Sequence, residues 1–267
     1  MTNLLGRLFN QHARILIATA LLLAGFEVLM CALVASTDIN APLRAFLRSL
    51  SPSVRGLAGS VLPHEITPLG RLLFAWNHPV VHVLLGGTMI LFASGAVAGE
   101  IEGGTLELVL AQPISRRTYL ATHIVFATTA VAVLGSAMLC GTALGLAVFD
   151  LHRVAQWQSF LPVALNLIAL EVAIFAVTLL GSVSLRSGGK VAMGAMLFVA
   201  VSYTLDGVAR LWKPMGFILP YTVFDYYSPF NIVVRHVGLG GDLLVLTIVW
   251  MVMIAGAWFV FARRDIP

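Results

Sequence analysis

A chain of 267 residues that is 59% apolar and only 10% charged cannot cover a soluble core of its own size with charged surface. Its mean hydropathy of +0.95 makes the bilayer its expected solvent. The net charge of +4 does not point to nucleic acid, because the sixteen basic residues are spread along the chain without a patch of interleaved aromatics.

From the start of the chain, Leu4, Leu5, Leu8, Phe9 and His12 form an amphipathic turn, expected to lie on the inner membrane surface. The first apolar run, about 15–35, is span-length and lacks a small-residue cleavage site, so it reads as a retained transmembrane helix. It carries Glu27, whose insertion cost of about 3 kcal/mol is offset by surrounding Leu, Ile, Val and Phe at roughly 0.3–0.6 kcal/mol each. That carboxyl should face protein or water.

Residues 36–79 read as an outer amphipathic loop. Leu43, Phe46, Leu47, Leu50, Val54 and Leu57 share one helical face, and Arg44, Arg48 and Arg55 fall on the other. Pro42, Pro52, Pro63, Pro68 and Pro79 cut the loop into short pieces, and Leu69, Leu72, Leu73 and Trp76 form a second apolar set, expected as an interfacial turn. Five further spans follow at about 80–99, 120–147, 161–183, 191–211 and 243–262. Between the last two, "GFILPYTVFDYYSPFNIVV" is apolar but broken by Pro220 and Pro229, so it is expected to dip into the membrane beside protein without crossing.

The fold class is therefore all-α: one polytopic transmembrane domain, 1–267, with six transmembrane helices. An even number of spans puts both termini on one side. The basic residues of the short loops, including the doublets Arg116-Arg117 and Arg263-Arg264, favour the cytoplasm.

Between spans two and three lies a polar island, "GEIEGGTLELVLAQPISRRTYL", Gly99 to Leu120, whose cytoplasmic coupling loop is 100–118. Glu100, Glu102 and Glu107 stand close together. Gly103 and Gly104 permit a sharp break, Thr105 can cap a new helix, Leu106, Val109 and Leu110 give it an apolar face, and Pro113 ends it. Physically, such a segment is either a docking surface for another protein or an ordinary solvated turn.

The island resembles the signature of ABC-2 type permeases, the membrane subunits of ATP-binding cassette exporters. The likeness rests on Gly99, Glu100, Glu102, Gly104, Thr105, Leu106, Glu107, Leu108, Leu110, Ala111, Pro113, Ser115 and Arg116. It extends to the six spans, to Ser228-Pro229-Phe230 and to the "RRDIP" of Arg263 to Pro267. It departs at His123, where the family often carries a lysine.

The resemblance implies an ABC-2, type V exporter-like permease fold. It also implies a coupling helix, Thr105 to Leu110, seated in a cleft of a separate ATP-binding subunit. Two such subunits would serve a pair of permease chains, expected as a homodimer, in the cell membrane. Glu100 and Glu102 would then be hinge and ionic contacts, Gly103 and Gly104 the turn, Glu107 a docking charge and Arg116 an anchor at the lipid surface. ATP and Mg would be bound by the partner. The nearest approach to a phosphate loop here, "SGGKV" at Ser187 to Val191, lacks both the first glycine and the hydroxyl that would hold magnesium, so no catalytic residue or cofactor is expected in this chain.

Glu27, Glu171 and Asp206 fall within expected spans, where carboxylates mark a substrate path or proton relay, or else an interhelical hydrogen bond or, for Asp206, exposure. His78 and His82 share a helical face but offer two metal ligands without a third, so no metal site is expected. Cys31 and Cys140 read as small packing residues. Gly95/Gly99 and Gly141/Gly145 are small-residue pairs suited to packing within the chain or to a dimer seam. No nucleophile elbow or carboxylate pair supports an intramembrane enzyme. Two rival functions stand beside the permease: a secondary, ion-coupled transporter and a non-transporting membrane scaffold or sensor.

Overall fold

The computed structural model describes residues 2–36, 49, 67–106 and 115–264. Apart from residue 49, the surface segment expected around 43–57 lies outside them, as do the island residues Glu107, Leu110 and Pro113. Among the described residues there are helices and turns but no strand, and six helices are long and apolar enough to cross a membrane.

The first, α1, runs unbroken over Thr2–Ser36. Its opening turn therefore continues the span and does not lie on the surface as expected. The reason is local packing: Leu8 is buried, Phe9 stands edge-on to Phe126 at 4.9 Å, and His12 packs on Phe92 at 4.8 Å. Helix α2, Pro68–Trp76, begins where the Thr67 hydroxyl accepts the Gly70 amide at 2.9 Å, with Pro68 at the first helical position. Its apolar face was expected at the interface. Instead Leu72, Leu73 and Trp76 are buried in protein, and the Trp76 indole stacks on Phe160.

The second span continues through α3, Pro79–Ser94, a π turn over Gly95–Gly99 and a last turn, Glu100–Glu102. Helix α4 is Arg116–Val148, α5 is Leu161–Ser184, α6 is Gly188–Leu211 and α7 is Leu239–Arg263. Ser115 and Ser187 cap the starts of α4 and α6 by accepting the amides of Thr118 and Lys190. The stretch between α6 and α7 folds into the short turns Lys213–Tyr221, Val223–Tyr226 and Asn231–Arg235. Phe224, Tyr227 and Ile232 bury themselves against the bundle, while His236 and Gly238 take positive φ and redirect the chain into α7.

Helices α3 and α5 form the enclosed centre, and α1, α6 and α7 pack around them with long apolar faces turned outward, such as Ile17, Leu21, Met193, Leu197, Leu244 and Phe259. The closest approach joins α1 to α4. A Cβ at Gly141 would stand 2.5 Å from the Ala24 carbonyl oxygen, and one at Gly145 would stand 2.7 Å from the Cys31 side chain. This small-residue pair therefore seals two helices of one chain together.

Candidate functional site

The described parts of the polar island, 99–106 and 115–120, lie at one end of the bundle. Its entry is a helix ending that the glycines make possible: Gly104 has φ +65, the Thr105 amide donates to the Glu100 carbonyl at 2.9 Å, and the Gly104 amide to Ile101 at 3.1 Å. That pair of bonds is the Schellman arrangement, which needs a left-handed residue at this place. The Thr105 hydroxyl turns back to the Glu100 carboxylate, so Glu100, Gly103, Gly104 and Thr105 form one locked turn. Leu106 is buried in the chain's own core, which seats the segment against the bundle.

Glu102 leaves this turn and reaches α6. One carboxylate oxygen accepts the Ser187 hydroxyl at 3.0 Å, and the other accepts the Gly188 amide at 2.8 Å. A carboxylate at the N-terminus of a helix meets both its free amides and the positive end of its dipole. The approach is close, because a Cβ on Gly188 would stand 3.0 Å from the Cα of Gly99. The "SGGK" segment, weighed in the sequence only against a phosphate loop, is thus the partner of Glu102.

Arginines answer the same need at the C-terminal ends. Arg116 donates to the carbonyls of Phe261 at 3.3 Å and Arg264 at 2.6 Å, closing α7. Arg264 in turn donates to Val183 at 2.5 Å and Leu185 at 2.9 Å, closing α5. Burial, and then the nearby charge of Arg186, lower the Arg264 guanidinium from its ordinary value, although an arginine keeps its proton at neutral pH. Ser182 completes the set. Its hydroxyl accepts the amides of Val97 and Ala98 within the π turn, and donates to the Ser94 carbonyl. Tyr119 donates to the Ala96 carbonyl at 2.5 Å. Sequence reading missed Ser182, Tyr119, Ser187 and Arg264 as parts of the site; among them only the Ser187-Gly188 pair carried a local signal, that of a helix cap.

The three carboxyls read from the sequence as a path meet different partners. Glu27 on α1 accepts the Thr142 hydroxyl at 3.0 Å and is buried. Glu171 on α5 is enclosed beside His82 of α3. Asp206 lies at the end of the bundle away from the island, paired with Arg210 at 2.8 Å, and Arg210 also binds Asp225 at 3.0 Å. Burial raises the Asp225 carboxyl from its ordinary value, Arg210 opposes this, and Asp206 adds to the rise. Because Arg210 is well exposed, Arg210→Ala is expected to cost at most about 1 kcal/mol in detergent stability, read by thermal unfolding.

His78 and His82 do not share a ligand. The His78 Nδ1 caps the Val80 amide at 3.2 Å, whereas the His82 Nε2 meets Asn77. Among the described residues no group of three His, Cys, Asp or Glu side chains could hold a metal ion.

No curated protein matches the chain significantly. The pattern that defines the ABC-2 family transporter protein, by contrast, matches residues 9–266, nearly the whole length and the whole bundle described above. The chain belongs to the ABC-2 family of transporter proteins.

Proposed function

We propose that this chain is the membrane-spanning permease subunit of an exporter in the cell membrane, coupled at its polar island to a separate ATPase. ABC-2 permeases are transport components that work in general with an ABC ATPase. The finer reading is of two identical permease chains and two ATPase copies, with ATP and Mg held by the ATPase. Both termini lie in the cytoplasm, a placement favoured by Arg116, Arg117, Arg186, Lys190, Arg263 and Arg264 gathering at the island end.

The observation that carries the coupling reading is the pair of hydrogen bonds that Glu102 accepts from the start of α6. A docking segment that moved alone would do no work on the pathway. Here a push on residues 105–110 reaches α3 through the locked Glu100–Thr105 turn, α6 through Glu102, and α5 through the Ser182 bonds to the π turn. Motion of the ATPase would thus be shared by three spans.

Glu107→Lys is the direct test of docking. Reversal of a charge at a protein contact costs several kcal/mol when it faces a like or buried group, so the ATPase is expected to be lost from the purified complex by about tenfold or more. Undiminished ATPase stimulation by the charge-reversed chain would remove the docking role. Transport driven by a proton or sodium gradient with ATP depleted would instead favour the ion-coupled reading.

A further inference from the structure

The coupling described above makes no use of two buried titratable groups in the bundle, His82 and Glu171. Glu171 has no exposed surface, and neither carboxyl oxygen has a hydrogen-bond partner among the described residues. Its polar neighbour is His82, whose Nδ1 lies 3.7 Å from Oε1 and is also unpartnered. Gly86, one turn along α3, supplies the space: a Cβ there would stand 3.4 Å from Oε2. Ion pairing among the described residues brings no lysine or arginine to this carboxyl.

The other ring nitrogen fixes the arrangement. Nε2 lies 3.2 Å from Oδ1 of Asn77, and an amide oxygen only accepts, so Nε2 carries hydrogen. In a neutral ring Nδ1 is then a bare lone pair facing Glu171. The enclosure is aromatic: the rings of Phe224, Tyr203 and Tyr227 stand 5.0, 5.5 and 5.6 Å from the imidazole. Both phenols are committed elsewhere, Tyr203 to the Asn77 carbonyl at 3.2 Å and Tyr227 to the Trp76 carbonyl at 2.9 Å. The remaining titratable groups nearby are His78, whose Nδ1 holds its own helix cap, and Glu27 of α1, which shares with Glu171 an electrostatic influence on Tyr227.

We propose that His82 and Glu171 form a binding site for one proton, carried on Oε1 of Glu171 and directed at Nδ1 of His82. Three states compete. An ionised Glu171 beside a neutral ring would leave a bare carboxylate among aromatic walls, at the full cost of its lost hydration. Transfer of the proton to His82 would desolvate two charges in place of none, held 3.7 Å apart without other donors to settle the carboxylate. An O–H···N bond keeps both groups neutral and satisfies Oε1 and Nδ1 once they close from 3.7 Å by about half an ångström or more, leaving only the uncharged Oε2 of the acid without a partner.

The enclosure is made by α3, α5, α6 and the 222–227 turn, so a conformational change that parts them admits water to the carboxyl. In water an ordinary glutamate is ionised at neutral pH. The proton is therefore held in the closed bundle and released on opening, and the sign of the linkage follows: acid favours the closed state, alkali the open one.

The test is infrared spectroscopy of the purified full-length chain in detergent, compared in H2O and D2O at about pH 8, where an ordinary glutamate is ionised. The background is E27Q, which removes the other buried carboxyl. A protonated-carboxyl band should be present in E27Q and absent in E27Q/E171Q. E171Q replaces a neutral acid with a neutral amide of the same shape, so its thermal midpoint should stay close to that of the parent. If E171Q does not fold, the parent still decides, because its band should vanish on denaturation. A folded parent without the band, or a band that survives E171Q, overturns the site. No ATPase or substrate enters the measurement, so its failure is distinct from failure of the permease reading.

Discussion

Glu102→Ala is expected to leave ATPase binding intact while cutting ATP-driven transport by roughly tenfold to a hundredfold. The substitution removes two hydrogen bonds to a charged acceptor, from the Ser187 hydroxyl and the Gly188 amide. Bonds to charged groups contribute about 1.5–3 kcal/mol, and each 1.4 kcal/mol is a factor of ten. Because Glu102 is exposed, its loss leaves no buried orphan, and the fold should persist. The signature is uncoupling: ATP is still hydrolysed by the partner, but substrate movement no longer follows. Transport measured in vesicles beside ATPase rate separates the two. Glu102→Gln should lie between, since an amide oxygen still accepts one bond but carries no charge toward the dipole of α6. Equal loss of hydrolysis and transport would place Glu102 in docking rather than in transmission.

Gly141→Val should have the largest effect on stability. Its Cβ would meet the backbone of Ala24 at 2.5 Å, and a backbone carbonyl cannot rotate away as a side chain does. Helices α1 and α4 must separate, and the neighbouring bond from Thr142 to Glu27 at 3.0 Å goes with them. Overpacking of about 1–3 kcal/mol and a lost buried bond of about 1–3 kcal/mol sum to roughly 2–6 kcal/mol. For a chain of this size, at about 2–4 °C per kcal/mol, that is a fall of roughly 4–24 °C in thermal midpoint. Gly87→Ala is the control, because nothing lies within 4 Å of its Cβ and the change should be silent. Comparable losses in both variants would show that the close approach to Ala24 is not what makes Gly141 sensitive, since Gly→Ala by itself favours a helix.

What the sequence made legible is what depends on neighbours along the chain. Hydropathy located the membrane helices, and the Gly103-Gly104 pair announced the break that Gly104 realises with its positive φ. Pro68 and Pro79 were read as cuts in a loop, and each stands at the first position of a helix. The amphipathic start of the chain was misplaced because a face that suits an interface suits a protein groove equally well; Phe126 and Phe92, far along the chain, decided the matter. The same limit hid the helix-end bonds. Glu102 meets its partners 85 and 86 residues later, and Arg116 meets Arg264 148 residues later, so no local pattern could assign them. A π turn is equally silent in sequence, since Gly95 to Gly99 reads as more of the same helix until Ser182 is in place to receive its amides.

The arginine at position 264 also sets a schedule for biosynthesis. The carbonyl end of α5 is complete at Leu185, but the side chain that closes it is made 79 residues later. At about 5–20 residues per second, α5 waits roughly 4–16 s with those oxygens open. During that interval the first four spans are in place without their final brace, and α7 must thread into the membrane before the brace can form. A nascent chain arrested before Arg264 should therefore be recognised by quality-control proteases through its fraying α5 end, even though every helix before α7 has already been inserted.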